Sequence, residues 1–199
     1  MRIGIYGGSF DPVHNGHINA ARNFMEELSL DKIIIVPAYC SPFKKGLAVT
    51  PSQHRLNMCN IAFGNTEGFE VSDAEILRAD EGYMSDTVAQ IREQYPDAEL
   101  FLLLGSDQLL TFQKWHAWSK ITDEATVAAA ARTWDDDAAM EAAAAVLRSY
   151  GAEVIIVPID VKELSSTDVR EAVRRGDDIS AMVPPGVAEY IWDNYLYYE

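Results

Sequence analysis

Three glycines, a serine and two histidines stand in one stretch, GGSFDPVHNGH at residues 7–17, directly after an apolar run at 3–6. A short strand that passes through glycines into a helix aims main-chain N–H groups and imidazoles at one point, which suits phosphate. Gly7 and Gly8 let the backbone turn sharply and approach a ligand with no Cβ in the way. Ser9 adds a hydroxyl donor, Phe10 follows in the same loop, and Asp11-Pro12 suits a turn that leaves one fewer N–H to satisfy near the helix start. His14 and His17 are three apart, so on a helix they share a face, which Gly16 keeps open. No Gly-Lys-Ser or Gly-Lys-Thr follows the glycines, which excludes a P-loop. No cysteine or acidic cluster nearby supplies further ligands, which disfavours half a metal site.

Further along, a second set of donors gathers at 164–170, Leu-Ser-Ser-Thr-Asp-Val-Arg. Capping accounts for one hydroxyl at a helix start but not for three, and Ser165, Ser166, Thr167 and Arg170 together offer a dense set of donors to a terminal phosphate. Gly105 and Asp107 close an apolar run at 100–104, where a glycine admits a ligand and a carboxylate can accept from ribose hydroxyls. Among the aromatics that follow, Phe112 and Trp118 have the spacing of core residues. At 82–87, Ser85, Asp86 and Thr87 have the types of an ordinary capped helix, whose N-terminus can also receive a carboxylate. Lys44 is either a solvated loop lysine beside Lys45 or a phosphate contact, and Arg132, ending another apolar stretch, is a weaker phosphate candidate. His54 reads as structural, and Arg55 has no assigned role.

Residues 7–17 resemble the signature of the nucleotidyltransferase superfamily, whose members carry an HxGH motif after the first strand. The other segments narrow the resemblance, over essentially the whole chain, to the bacterial nicotinate-nucleotide adenylyltransferases. That resemblance implies transfer of the adenylyl group of ATP to nicotinate mononucleotide, giving deamido-NAD and pyrophosphate. His14 and His17 would meet the α- and β-phosphates as the catalytic pair, with Gly7, Gly8, Ser9, Phe10, Gly105, Asp107 near the adenosine ribose, and Arg132 also binding ATP. Residues 164–170 match the family's ISSTxIR triphosphate motif except that Leu164 and Val169 replace isoleucines. On the acceptor side the resemblance implies Lys44, Tyr83, Thr87, Trp115 and His116, with Trp115 stacking on the pyridine and Thr87 near its carboxylate. The family's usual proline-histidine-lysine loop reads Pro42-Phe43-Lys44 here, without the imidazole. Mg²⁺ is implied as a cofactor, bridging the triphosphate through phosphate oxygens and water with no protein ligand assigned. Alternatives are a sibling cytidylyltransferase or pantetheine-phosphate adenylyltransferase, which would lack the Thr87 and Trp115-His116 segments, and a non-catalytic nucleotide sensor, which would lack the histidines.

The elements that must position these residues follow from the apolar pattern. Runs at 3–6, 33–36, 100–104 and 154–157 alternate with segments of helical spacing at 14–28, 52–63 and 85–95, the last ended by Pro96. This predicts an α/β fold, a doubly wound parallel sheet of Rossmann-like nucleotidyltransferase type. The alanine-rich stretch 125–131 favours helix by propensity but reads as a strand in the alternation, followed by a covering helix at 135–150.

At 199 residues the chain is long enough for one well-buried domain, taken as 1–199. With no apparent signal peptide and no bilayer-length apolar run, the expectation is a cytoplasmic protein. Cys40 and Cys59 form no CxxC pair and read as reduced packing residues. A formal net charge of -15 argues against nucleic acid or an anionic membrane as partner. The expected partners are therefore ATP and nicotinate mononucleotide, with homo-oligomer formation left open. Both substrates are anions, so a positive cleft must be built locally; the cations available are His14, His17, Lys44, Lys45, Arg132 and Arg170.

Overall fold

The structure, a computed structural model, describes residues 1–39, 49–79, 82–131, 137–159 and 164–198. Cys40, Phe43, Lys44, Lys45 and Arg132, with the expected start of a helix at 135, lie outside the described residues.

Six strands, β1 (Arg2–Gly8), β2 (Lys32–Pro37), β3 (Phe69–Val71), β4 (Glu99–Gly105), β5 (Thr126–Ala131) and β6 (Val154–Pro158), form one sheet in the order β3-β2-β1-β4-β5-β6. Every pairing is parallel, with Ile5 opposite both Ile34 and Leu102 at the centre. The helices are α1 (Asn15–Glu27), α2 (Ser52–Phe63), α3 (Ala74–Arg78), α4 (Met84–Gln94), α5 (Ser106–Thr111), α6 (Trp118–Glu124), α7 (Asp137–Ser149), α8 (Ser166–Arg175) and α9 (Pro185–Asp193).

Period-two alternation along the strands divides the buried side chains between two cores. Ile33, Ile35, Phe101, Leu103, Ala128, Ala130 and Val157 face one side, where Phe24 of α1, Cys59 and Phe63 of α2, Val169 of α8 and Ile191 of α9 cover them. Ile3, Ile5, Ile34, Val36, Leu102, Leu104, Val127 and Ala129 face the other, under Val88 and Ile91 of α4 and Met140 and Leu147 of α7. Apolar side chains on both faces explain why β2 and β4 read as unbroken hydrophobic runs. Each such side chain contributes about 1.5–3 kcal/mol on leaving water. The same context turns alanines at 128 and 129, both fully buried, into strand against their helical propensity.

The structure adds elements that the pattern does not announce. β3 is a three-residue edge with an exposed central Glu70, too short for a period to show. The first helix starts one residue later than expected, because His14 is extended (φ -143°, ψ 170°) and serves as the N-cap of α1. Among the described residues, no helix is long and apolar enough to cross a membrane.

Strand order reverses between β1 and β4, so the segments leaving their carboxyl ends diverge and open a crevice there. Gly8 ends β1 and Gly105 ends β4.

Candidate active site

At the mouth of that crevice lies a cleft of about 280 Å³, whose lining includes His14, Gly16, His17, Gly105, Ser165 and Arg170. His14 and His17 face one another in a reciprocal cap, not as two side chains on one helical face. His17 N–H donates to His14 Nδ1 at 3.4 Å, and His14 N–H donates to His17 Nδ1 at 3.3 Å. The rings stack with centroids 3.7 Å apart. A ring nitrogen that accepts carries no hydrogen, so each neutral imidazole holds its proton on Nε2 and offers that N–H as a donor. Gly16 makes the stack possible, since a Cβ there would lie 3.0 Å from the His14 ring and 3.3 Å from the Leu164 carbonyl oxygen. Phe10, with φ 47°, turns its ring under His17 at 5.0 Å and is 1% exposed, so its side chain supports the imidazole from the core.

Across the cleft, Ser165 caps α8. Its Oγ accepts from Asp168 N–H at 3.2 Å, while its N–H and Oγ–H donate to Asp168 Oδ2 at 2.8 and 2.6 Å. These two donated bonds, the hydroxyl's being the larger influence, hold the Asp168 carboxyl below its ordinary range. Ser166 Oγ donates to the Pro12 carbonyl at 2.9 Å. Arg170 Nη1 donates to the Asp11 carbonyl at 2.6 Å and Nη2 to Thr167 Oγ1 at 3.0 Å. Each of the three hydroxyls thus has a protein partner, Ser165 in the cap and Thr167 on Arg170, while Ser166 and Arg170 lash α8 to the loop before His14. α1 and α8 both begin at the cleft, so two helix N-termini and the Arg170 guanidinium supply positive potential inside a chain of net charge -15.

Gly105 N–H donates to Gln108 Oε1 at 2.9 Å at the start of α5, and the neighbouring Asp107 is exposed. Gly7 lies against the first residue of α4: a Cβ there would stand 2.2 Å from Met84 Cε, so the end of the Met84 side chain would have to move aside. Tyr83, the residue before α4, stacks on the exposed His116 with centroids 4.2 Å apart, which brings two of the expected acceptor residues together. Trp115 tilts against Phe112 at 5.3 Å. Phe112 is fully buried, as its spacing predicts, whereas Trp118 is half-buried. Thr87 is 1% exposed, with its hydroxyl donating to Glu75 Oε1 at 2.9 Å and accepting from Arg78 Nη2 at 3.0 Å. Its side chain therefore anchors α4 to α3 and does not reach the cleft. None of Tyr83, Thr87, Trp115 and His116 lines the cleft itself.

Sequence reasoning left Arg55 unassigned. It is 2% exposed and donates to the carbonyls of Ser9, Tyr39 and Thr50 at 2.7, 3.0 and 2.9 Å, joining the glycine loop to the ends of two neighbouring segments. The available signal was its register with Cys59 and Phe63 on the buried face of α2. His54 bonds the Tyr190 hydroxyl through Nδ1 at 2.9 Å, the structural role expected of it.

Taken together, a parallel sheet reversing at β1 and β4, an imidazole pair and a donor-rich helix start define a nucleotide-handling α/β protein. The cytidylyltransferase-like family model matches residues 5–172. A protein of Gemmatimonas aurantiaca named a probable nicotinate-nucleotide adenylyltransferase is 36% identical over 100% of this chain and 93% of its own length. One of the same name from Neisseria meningitidis serogroup B is 35% identical over 98% of both chains. The Plasmodium falciparum nicotinic acid mononucleotide adenylyltransferase complexed with APC superposes with a TM-score of 0.75 at 22% identity, covering 98% of this chain and 96% of that one, a likeness of fold. The chain belongs to the cytidylyltransferase-like family and, within it, to the nicotinate-nucleotide adenylyltransferases. It is a nucleotidyltransferase.

Proposed function

We propose that this chain transfers the adenylyl group of ATP to nicotinate mononucleotide, releasing pyrophosphate and forming deamido-NAD. The observation that carries the reading is the reciprocally capped His14–His17 pair, which lines a cleft that α8 borders with Ser165, Ser166, Thr167 and Arg170. The relatives named as nicotinate-nucleotide adenylyltransferases support the choice of substrates.

In this mechanism an oxygen of the mononucleotide 5′-phosphate attacks the α-phosphorus of ATP in line, and the bond from that phosphorus to the β-phosphate oxygen breaks. The nucleophile is already an anion, so no general base is required; catalysis consists of positioning and of stabilising charge on the transferring and leaving oxygens. His14 and His17 donate to the α- and β-phosphates, and Arg170 with the α8 start holds the terminal phosphate. Gly7, Gly8 and Ser9 present main-chain donors, Asp107 meets the ribose, and Lys44 and Arg132 add charge from segments outside the described residues. Tyr83, Trp115 and His116 form the aromatic side of the acceptor pocket, and the start of α4 faces the pyridine carboxylate with its N–H groups. Among the described residues no group of three or more His, Cys, Asp or Glu side chains could hold a metal. Mg²⁺, when bound, would enter with the ATP substrate and neutralise charge on its phosphates.

The test is pyrophosphate release by the purified protein with ATP or CTP against nicotinate mononucleotide and pantetheine phosphate. Release with ATP and nicotinate mononucleotide alone is expected. Faster turnover with CTP, or with pantetheine phosphate, assigns the site to a sibling enzyme, and release with no pair makes it a sensor.

A further inference from the structure

One buried contact of the loop before His14 has no part in the mechanism above. Asp11 is 5% exposed, and its carboxylate accepts from the Tyr197 hydroxyl at 2.8 Å through Oδ1 and from Thr50 N–H at 3.4 Å through Oδ2. The same residue's carbonyl receives Arg170, and the next carbonyl, of Pro12, receives Ser166. Residues 11–14 thus carry two carbonyls that fix α8 and the cap that fixes both imidazoles. What pins this stretch from within is the Asp11 side chain.

The chain goes to some trouble to bring Tyr197 there. After α9, Tyr195 and Tyr197 both take left-handed backbone, φ 51° and 69°, which non-glycine residues rarely adopt and which recurs where surrounding contacts demand it. Tyr195 is 83% exposed, whereas Leu196 and Tyr197 turn in against the core. Burial, and secondarily the charge of Asp11, hold the phenol above its ordinary value, so it remains a donor at physiological pH. A buried carboxylate that loses a hydroxyl donor must recover it by moving.

We propose that Tyr197 is a positioning residue for the active site: its hydrogen bond to Asp11 sets residues 11–14 so that His14, His17 and Arg170 converge on one phosphate-binding point. The kinetic consequence rests on the adenylyltransferase reading; the geometric consequence does not.

Tyr197→Phe removes only the hydroxyl. Tyr190→Phe is the matched control, because it deletes another tyrosine hydroxyl, bonded to His54 and Asn57, away from the cleft. Imidazole ¹⁵N spectra of the four histidines are recorded for each variant, with steady-state kinetics alongside. In Tyr197→Phe the His14 and His17 ring resonances are expected to shift and that of His54 to hold; in Tyr190→Phe the pattern reverses. Turnover falls roughly tenfold or more in Tyr197→Phe, with smaller changes in KM, and is unchanged in Tyr190→Phe. Should Tyr197→Phe fail to fold, Asp11→Asn weakens the same bond from its other end and must shift the same two resonances. Unmoved His14 and His17 resonances overturn the proposal whatever the activity. An inactive wild type whose imidazoles still respond to Tyr197→Phe upholds the positioning role and counts against the adenylyltransferase reading instead.

Discussion

The imidazoles of His14 and His17 each accept the other residue's backbone N–H through Nδ1, at 3.4 and 3.3 Å, so one pair of contacts caps α1 and fixes both tautomers. Structural and chemical roles therefore occupy opposite nitrogens of the same ring.

That division separates two effects of mutation. His17→Ala removes a cap acceptor, costing about 1 kcal/mol of stability, and a donor to developing charge, costing about 10²–10³ in kcat. His17→Glu restores the acceptor at the third position of the helix, as in an ordinary capping box, without a donor. Thermal unfolding should show stability recovered in His17→Glu, while pyrophosphate release stays as low as in His17→Ala. Recovery of turnover with the cap would mean that the imidazole matters only for folding.

Arg170 is held by Asp11 and Thr167 yet lines the cleft. Its assigned partner is a phosphate that the mononucleotide lacks, so Arg170→Ala should raise KM for ATP much more than KM for nicotinate mononucleotide. Initial rates with each substrate varied in turn decide this; equal increases would contradict it.

Asp168 gives a pH signature. Its carboxyl is held below its ordinary value in the folded chain, so the stabilisation is complete above the unfolded value of about 3.9 and is lost as pH falls through the folded one. Asp168→Asn should therefore be less stable than wild type at neutral pH by a constant margin that shrinks below about pH 4. Melting temperatures measured from pH 7 down to 3 check the sign; a margin that grows on acidification would refute it.

Much of this architecture is legible in the residues. β2 and β4 show themselves because both of their faces are buried, and β5 does so despite four alanines because neighbouring elements alternate around it. The imidazole pair and the 164–170 segment are likewise visible as residue types at suggestive spacings. Geometry is not. Nothing local tells that His14 caps the helix instead of joining it, or that Ser166 is spent on Pro12, 154 positions away. Thr87 reads by type as part of a helix cap and is tied to the pyridine carboxylate only by the family resemblance, while the bond of its hydroxyl to Glu75 could not be read locally. Arg55 and Tyr197 escape for the same reason, since their partners come from other segments that only the folded chain brings near.

The central claim is that this site joins an adenylyl group to a mononucleotide whose flat ring bears a carboxylate. A helix N-terminus favours that anion, whereas the amide of nicotinamide mononucleotide forfeits the charge-assisted bond and turns an NH₂ toward N–H donors. The difference is on the order of 1.5–3 kcal/mol. The direct measurement is kcat/KM for the two mononucleotides, with ATP saturating and the dinucleotide product quantified. The account predicts that nicotinate mononucleotide wins by roughly tenfold to a hundredfold; equal values, or a preference for the amide, would contradict it.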